Sequence, residues 1–97
     1  MQPLVIVGIP TYNSPDGLKS TLESILAQMY TNLEIIISDN ASPDPQVELV
    51  IKGFQEKDSR IKYFKQEKNK DAGFNFQFVL KQATGDYFLC IRPLFNG

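Results

Sequence analysis

Apolar and polar positions follow two rhythms along this chain, and the switches between them mark seven elements. Leu4-Val5-Ile6-Val7-Gly8-Ile9 is a near-continuous apolar run, the pattern of a strand buried on both faces. Pro10 has no N–H for a sheet ladder and is expected to stop it. Ser14-Pro15-Asp16 has the grammar of a helix start: a serine to cap free amides, a proline suited to the first turn, and an acid against the positive helix end. Leu18, Leu22, Ile25, Leu26 and Met29 recur at helical spacing, which predicts an amphipathic helix from Pro15 to Tyr30. Leu33 to Ser38 is β-branched and apolar, a second buried strand. Asp39 to Pro45 is rich in turn residues, and Asp44-Pro45 restarts a helix with Val47, Val50, Ile51 and Phe54 as its buried stripe. Ile61 to Lys65 reads as a shorter third strand, followed by the charged loop Gln66 to Gly73. A third helix is predicted to turn Phe76, Val79, Leu80 and Ala83 inward, with Gly85 at its left-handed cap. Tyr87 to Ile91 is a fourth strand, ended by Arg92-Pro93.

The order βαβαβαβ predicts an α/β fold: an open parallel sheet with right-handed crossovers and helices on both faces. No linker, repeat or low-complexity segment divides residues 1–97, so one domain is expected. In such a sheet the strand C-termini converge on one rim, where ligands bind. The first strand delivers Pro10, Thr11, Tyr12 and Asn13 there, the second Asp39 and Asn40, the fourth Arg92. Tyr12 offers a ring for a nucleobase to stack on, Asp39 a carboxylate to accept from a base N–H, and helix N-termini offer amides to phosphate. Together these suit a nucleotide. Each residue also has a plainer reading. Tyr12 can pack over the rim, Asp39-Asn40 can form an Asx-turn or helix cap, and Asp44 reads as the cap of the second helix. The lysines at 62, 65, 68 and 70 read as a solvated face, Phe74, Phe76 and Phe78 as packing, and Cys90 as core.

Composition narrows the field. The 97 residues are 42% hydrophobic and 22% charged, which fits a globular chain with one modest core. A net charge of -1 supplies no basic field, so nucleic acid is not an expected partner. No apolar run reaches the roughly 18–20 residues that span a bilayer, and no secretory signal opens the chain. Cys90 is the single cysteine, which excludes an intrachain disulfide and fits a reducing, cytoplasmic compartment. The lack of histidine excludes His-based general-base pairs and His-ligated zinc. Neither G-x-G-x-x-G nor a P-loop follows the first strand, which argues against dinucleotide and P-loop nucleotide enzymes.

Three segments in register carry a resemblance. Val5-Ile6-Val7-Gly8-Ile9-Pro10-Thr11-Tyr12-Asn13, Glu34-Ile35-Ile36-Ile37-Ser38-Asp39-Asn40-Ala41-Ser42 and Ala83-Thr84-Gly85-Asp86-Tyr87 are similar to the family 2 glycosyltransferases, over roughly residues 3–91. The resemblance implies a GT-A fold of the nucleotide-sugar-binding type, and a nucleotide-binding half of this kind is expected to order its strands 3-2-1-4. It implies that Pro10, Thr11, Tyr12, Asn13 and Asp39 hold the nucleotide, usually through a uracil base, and Asn40, at the rim beside Asp39, is counted with them. It also implies that the loop around Asn69 to Asn75 lines the site. The family transfers a sugar from a nucleotide diphosphate, commonly with inversion, using Mg²⁺ or Mn²⁺.

This sequence departs from the family after the fourth strand. An Asp-x-Asp motif is expected there, because a hard divalent cation needs oxygen ligands and bridges phosphate oxygens. The positions read Arg92, Pro93 and Leu94 instead. No metal cofactor is therefore expected in this chain, and Arg92 is left as a contact for diphosphate charge. The chain reaches Gly97 before the acceptor-binding half that carries the family's catalytic base. The expectation is the donor half of a transferase, binding a UDP-type nucleotide-sugar without catalysing transfer alone. A non-catalytic nucleotide-binding module, or a truncated product without ligand, stays open as an alternative. The uncharged fourth strand, residues 87–91, is expected at a sheet edge, where it predicts a homo-oligomer.

Overall fold

The computed structural model describes residues 3–28, 30–82 and 87–92. Its elements are β1 (Val5–Thr11), α1 (Pro15–Leu26), β2 (Leu33–Asp39), α2 (Pro45–Lys57), β3 (Ile61–Lys65), α3 (Ala72–Gln82) and β4 (Tyr87–Cys90). All pairings are parallel and the strand order is β3-β2-β1-β4, as expected for a nucleotide-binding half.

The period of two along the strands divides the core. Val7, Ile9, Ile35, Ile37 and Ile61 point to one face, where they pack with Leu18, Leu22 and Ile25 of α1 and Val47 and Ile51 of α2. Ile6 and Ile36 point to the other face and meet Val79 of α3. Helices therefore cover both faces, and β1 and β2 are buried on both sides. Gly8 belongs to the α3 face, where a Cβ would stand 2.3 Å from Val79 Cγ1 and 2.9 Å from the Phe88 ring. The missing side chain is what lets α3 lie this close to β1.

Several details differ from the sequence expectation. β1 continues through Pro10 to Thr11. The Gly8 carbonyl bonds toward β4, to Ile91 N, and the Thr11 carbonyl bonds toward β2, to Asn40 N. By alternation the proline nitrogen faces the β4 side, where pairing ends at Gly8↔Cys90, while the ladder to β2 runs on past it to Thr11↔Asp39. α1 ends at Leu26 rather than Tyr30, with Ala27 as its cap residue, and Met29 lies outside the described residues. Ser14 stands at the N-cap, but its backbone is left-handed and its side chain makes no capping bond. Asp44 does cap α2, accepting from Gln46 N at 2.9 Å. On α3 the buried positions are Asn75 and Val79, while Leu80 is 40% exposed. The inward stripe is rotated from the expected one because α3 rests over β1 and β2, the strands that Val79 and Asn75 face. Ala83 and Gly85 lie outside the described residues. Cys90, expected in the core, is only half-buried, because β4 is an edge strand.

Candidate functional site

The C-terminal ends of β1, β2 and β4 meet at one rim, and the two loops leaving β1 and β2 shape it. The β1 loop turns sharply: Asn13 and Ser14 have φ of 46° and 90°, in the left-handed region that non-glycine residues seldom occupy. In the β2 loop Ala41 has φ of 58°. Such backbone persists where surrounding bonds over-determine it, and here they do. Asn13 N donates to Ser42 Oγ at 2.7 Å, and Asp44 N donates to Asn13 Oδ1 at 3.3 Å.

Asp39 closes β2 and is 1% exposed. Its Oδ1 accepts from Ser42 N at 3.0 Å and from Ser42 Oγ at 2.5 Å, and its Oδ2 accepts from Tyr63 Oη at 3.2 Å. The turn-forming role open to Asp39 in the sequence is thus realised through Ser42. Asn40 spends its side chain on the loop after β3: Lys70 N donates to Asn40 Oδ1 at 2.8 Å, and Asn40 Nδ2 donates to the Lys70 carbonyl. Asn69 Nδ2 adds a bond to the Asn40 carbonyl at 3.3 Å. This holds the 66–71 loop against the rim. Below it, buried Asn75 of α3 accepts from Ser38 Oγ at 2.5 Å and donates to the Ser38 carbonyl at 3.0 Å, and Gln66 Nε2 donates to Ser38 Oγ.

What stays open at the rim is a cavity of about 110 Å³ lined by Pro10, Thr11, Tyr12, Asn40, Asn75 and Arg92. A complete small-molecule site takes roughly 300–1,000 Å³, so this cavity encloses only part of a ligand and the rest lies on the surface. The Tyr12 ring is 44% exposed, available for stacking. Thr11 is 4% exposed, and its Oγ1 is buried with no hydrogen-bond partner among the described residues. Burial pushes the Tyr63 hydroxyl well above the ordinary tyrosine range, aided by the charge of Asp39, the bond to it and the charge of Glu48. Burial likewise raises the Cys90 thiol, against the charge of Arg92.

The structure thus brings Pro10, Thr11, Tyr12, Asn40 and Arg92 to one cavity, while Asn13 and Asp39 stand beside it with their side chains engaged in the loops. Ser42, Tyr63 and Ser38 escape the sequence reading. Tyr63 shares a sheet face with Asp39, a relation only the β2–β3 register reveals. Asn75, at the end of the Asn69 to Asn75 segment expected to line the site, stands on α3 one helical turn before Val79. The phenylalanines pack, Phe64 against Phe78 and Phe76 against Phe88, both edge-on, while Lys70 Nζ lies 4.4 Å from the Phe74 ring centre. No carboxylate lines the cavity, and among the described residues no group of three or more metal-ligating side chains gathers. A guanidinium with amide and hydroxyl donors does not fit a Mg²⁺ or Mn²⁺ site.

Comparison with known proteins agrees with this architecture. The family model described as glycosyl transferase family 2 matches residues 6–91. The putative glycosyltransferase EpsE of Bacillus subtilis is 37% identical over 83 residues, covering 86% of this chain and 29% of EpsE. The Escherichia coli glucosyltransferase WfaP, named for UDP-Glc and α-D-GlcNAc-diphosphoundecaprenol, is 40% identical over 84 residues, covering 87% of this chain and 32% of WfaP. S. aureus TarS 1-349 in complex with UDP superposes with a TM-score of 0.85 at 27% identity, over 93% of this chain and 27% of that structure. The chain therefore spans about a third or less of the relatives it matches. The fold is of the GT-A type, and by the match over nearly all its length the chain belongs to glycosyl transferase family 2.

Proposed function

We propose that this chain binds the nucleotide part of a nucleotide-diphospho-sugar, of UDP type, at the β1–β2–β4 rim. The base stacks on Tyr12 and donates its ring N–H to Asp39, Pro10 and Thr11 line its edge, and Arg92 pairs with diphosphate charge. Asn13 and Asn40 shape the pocket by holding its loops. The observation that carries this reading is the rim cavity that Pro10, Thr11, Tyr12 and Arg92 line together, with Tyr12 exposed beside it. UDP in the TarS structure and UDP-Glc in the name of WfaP support the choice of base.

We further propose that the chain does not transfer sugar by itself and that its nucleotide binding needs no metal, because Arg92, Pro93 and Leu94 replace the oxygen ligands expected after β4. A non-catalytic nucleotide-binding module is the reading this substitution favours beside it. Titration of UDP with and without Mn²⁺, by calorimetry or NMR, tests the site. The expected result is weak UDP binding of equal strength in both, with shifts at Tyr12, and a loss of about 1–3 kcal/mol in Asp39→Ala. Absence of any shift near Tyr12 at millimolar UDP, or sugar transfer by the purified chain, overturns the corresponding half. Self-association through β4 and a cytoplasmic setting complete the proposal.

A further inference from the structure

We propose that Ser42 is a positioning residue that locks the Tyr12 ring and the Asp39 carboxylate into one rigid base-reading unit. This role rests on the nucleobase site proposed above. One hydroxyl carries both links. Ser42 Oγ has a single proton, donated to Asp39 Oδ1 at 2.5 Å, and its lone pair receives the Asn13 amide at 2.7 Å. The direction of each bond is fixed, because a backbone N–H can only donate and a carboxylate oxygen here can only accept. Ser42 is buried, so water does not compete for these bonds. Its own amide adds a second bond to Asp39 Oδ1 at 3.0 Å.

The consequence follows from chain connectivity. Asn13 directly follows Tyr12, sharing a peptide unit with it, and with Ser14 it holds the left-handed backbone of the turn between β1 and α1. Asp39 lies across the β1–β2 pair, directly opposite Thr11 in the register. Ser42 is the atom path between the two sides: the carboxylate's Oδ1 and the backbone beside the ring move together or not at all. With Oδ1 tied to Ser42, it is Oδ2, shared with Tyr63, that has a lone pair left for a base. A uracil ring offers N3–H to such an acceptor, whereas cytosine presents a lone pair at the same place. Ser42 therefore sets discrimination between bases rather than affinity for phosphate.

The test has two readouts, one without nucleotide. In the free wild-type protein the Asn13 amide is expected to exchange slowly, like the β2 amides, although it sits in a loop; exchange at the rate of an open loop overturns the link with no variant needed. Ser42→Ala is expected to release that protection while the centre of β2 keeps its own. In the same variant UDP binding falls about tenfold and the preference for UDP over CDP collapses, while inorganic pyrophosphate binds as before. Ser42→Thr, which keeps the hydroxyl, restores the preference. A merely structural role weakens UDP, CDP and pyrophosphate alike, and that result, or an unchanged preference in Ser42→Ala, overturns the proposal. If the wild type itself does not prefer UDP, the nucleobase site fails and the role given to Ser42 falls with it, and slow Asn13 exchange then marks the bond as structural only.

Discussion

Single residues at the rim have two duties, and the bonds decide which. Asp39 and Asn40 adjoin in sequence and invite one shared task, yet Asp39 ties its own loop and the β3 tyrosine while Asn40 grips the backbone of Lys70. Tyr63 is the test at this scale. Its hydroxyl stays protonated to higher pH in the folded protein than the ordinary value of 10.0, first because it is buried and then because Asp39 is near. The folded state then binds this proton more tightly than the unfolded state does. Its contribution to stability is complete below about pH 10 and declines as pH rises further, because the unfolded chain gives up the proton first. Of the four tyrosines, one is expected to titrate last in ultraviolet phenolate absorbance, and Tyr63→Phe to remove that late step and flatten the alkaline loss of stability. Four phenols titrating together in the folded protein would count against the Tyr63–Asp39 contact.

At the scale of elements, the fold depends on how closely α3 approaches β1. Val79 and the Phe88 ring occupy the space where a Cβ on Gly8 would stand, and both belong to packed elements that cannot step aside cheaply. Gly8→Ala is therefore expected to destabilise the protein by about 1–3 kcal/mol, the usual range for an overpacked core. Chemical denaturation measures it directly, and Gly8→Ala with Val79→Ala should recover part of the loss. Gly53, in α2, has nothing within 4 Å of where a Cβ would stand, so Gly53→Ala serves as the control that changes only helix propensity. The same α3 carries the Asn75–Ser38 bonds, so its packing also supports the loop that Asn40 holds.

For the molecule as a whole, the sheet ends at β4 on one side. Leu89 points to the α1 face and is 52% exposed, because α1 and α2 lie over β1, β2 and β3 and leave the β4 side open. The result is a groove of about 630 Å³, larger than the rim cavity, walled by Val7, Ile25, Leu33, Leu89 and Ile91 together with polar residues such as Ser24 and Arg92. Among the described residues nothing pairs with the outer edge of β4. An uncharged open edge beside an apolar groove favours pairing with another chain. Light scattering on this 97-residue chain is expected to give a dimer or higher oligomer at tens of micromolar, dispersed by Leu89→Pro. A stable monomer ends this expectation, and a dimer indifferent to Leu89→Pro moves the interface away from β4.

The hydrophobic rhythm by itself determined the seven elements and the parallel sheet, and the motifs of a nucleotide-binding half added the strand order β3-β2-β1-β4. These depend on period, connectivity and motif, which are written along the chain. It also determined that Thr11, Tyr12 and Arg92 arrive at one rim, since strand ends in such a sheet converge. What only the tertiary structure decided is how the polar groups there are spent. Whether Pro10 breaks β1 depended on which neighbouring strand its nitrogen faces, and which side of α3 is buried depended on where that helix rests. The union of Ser42 with Asp39 and Asn13, and of Asn40 with Lys70, joins loops distant in sequence. Such bonds follow from position in space and leave no period for a sequence to display.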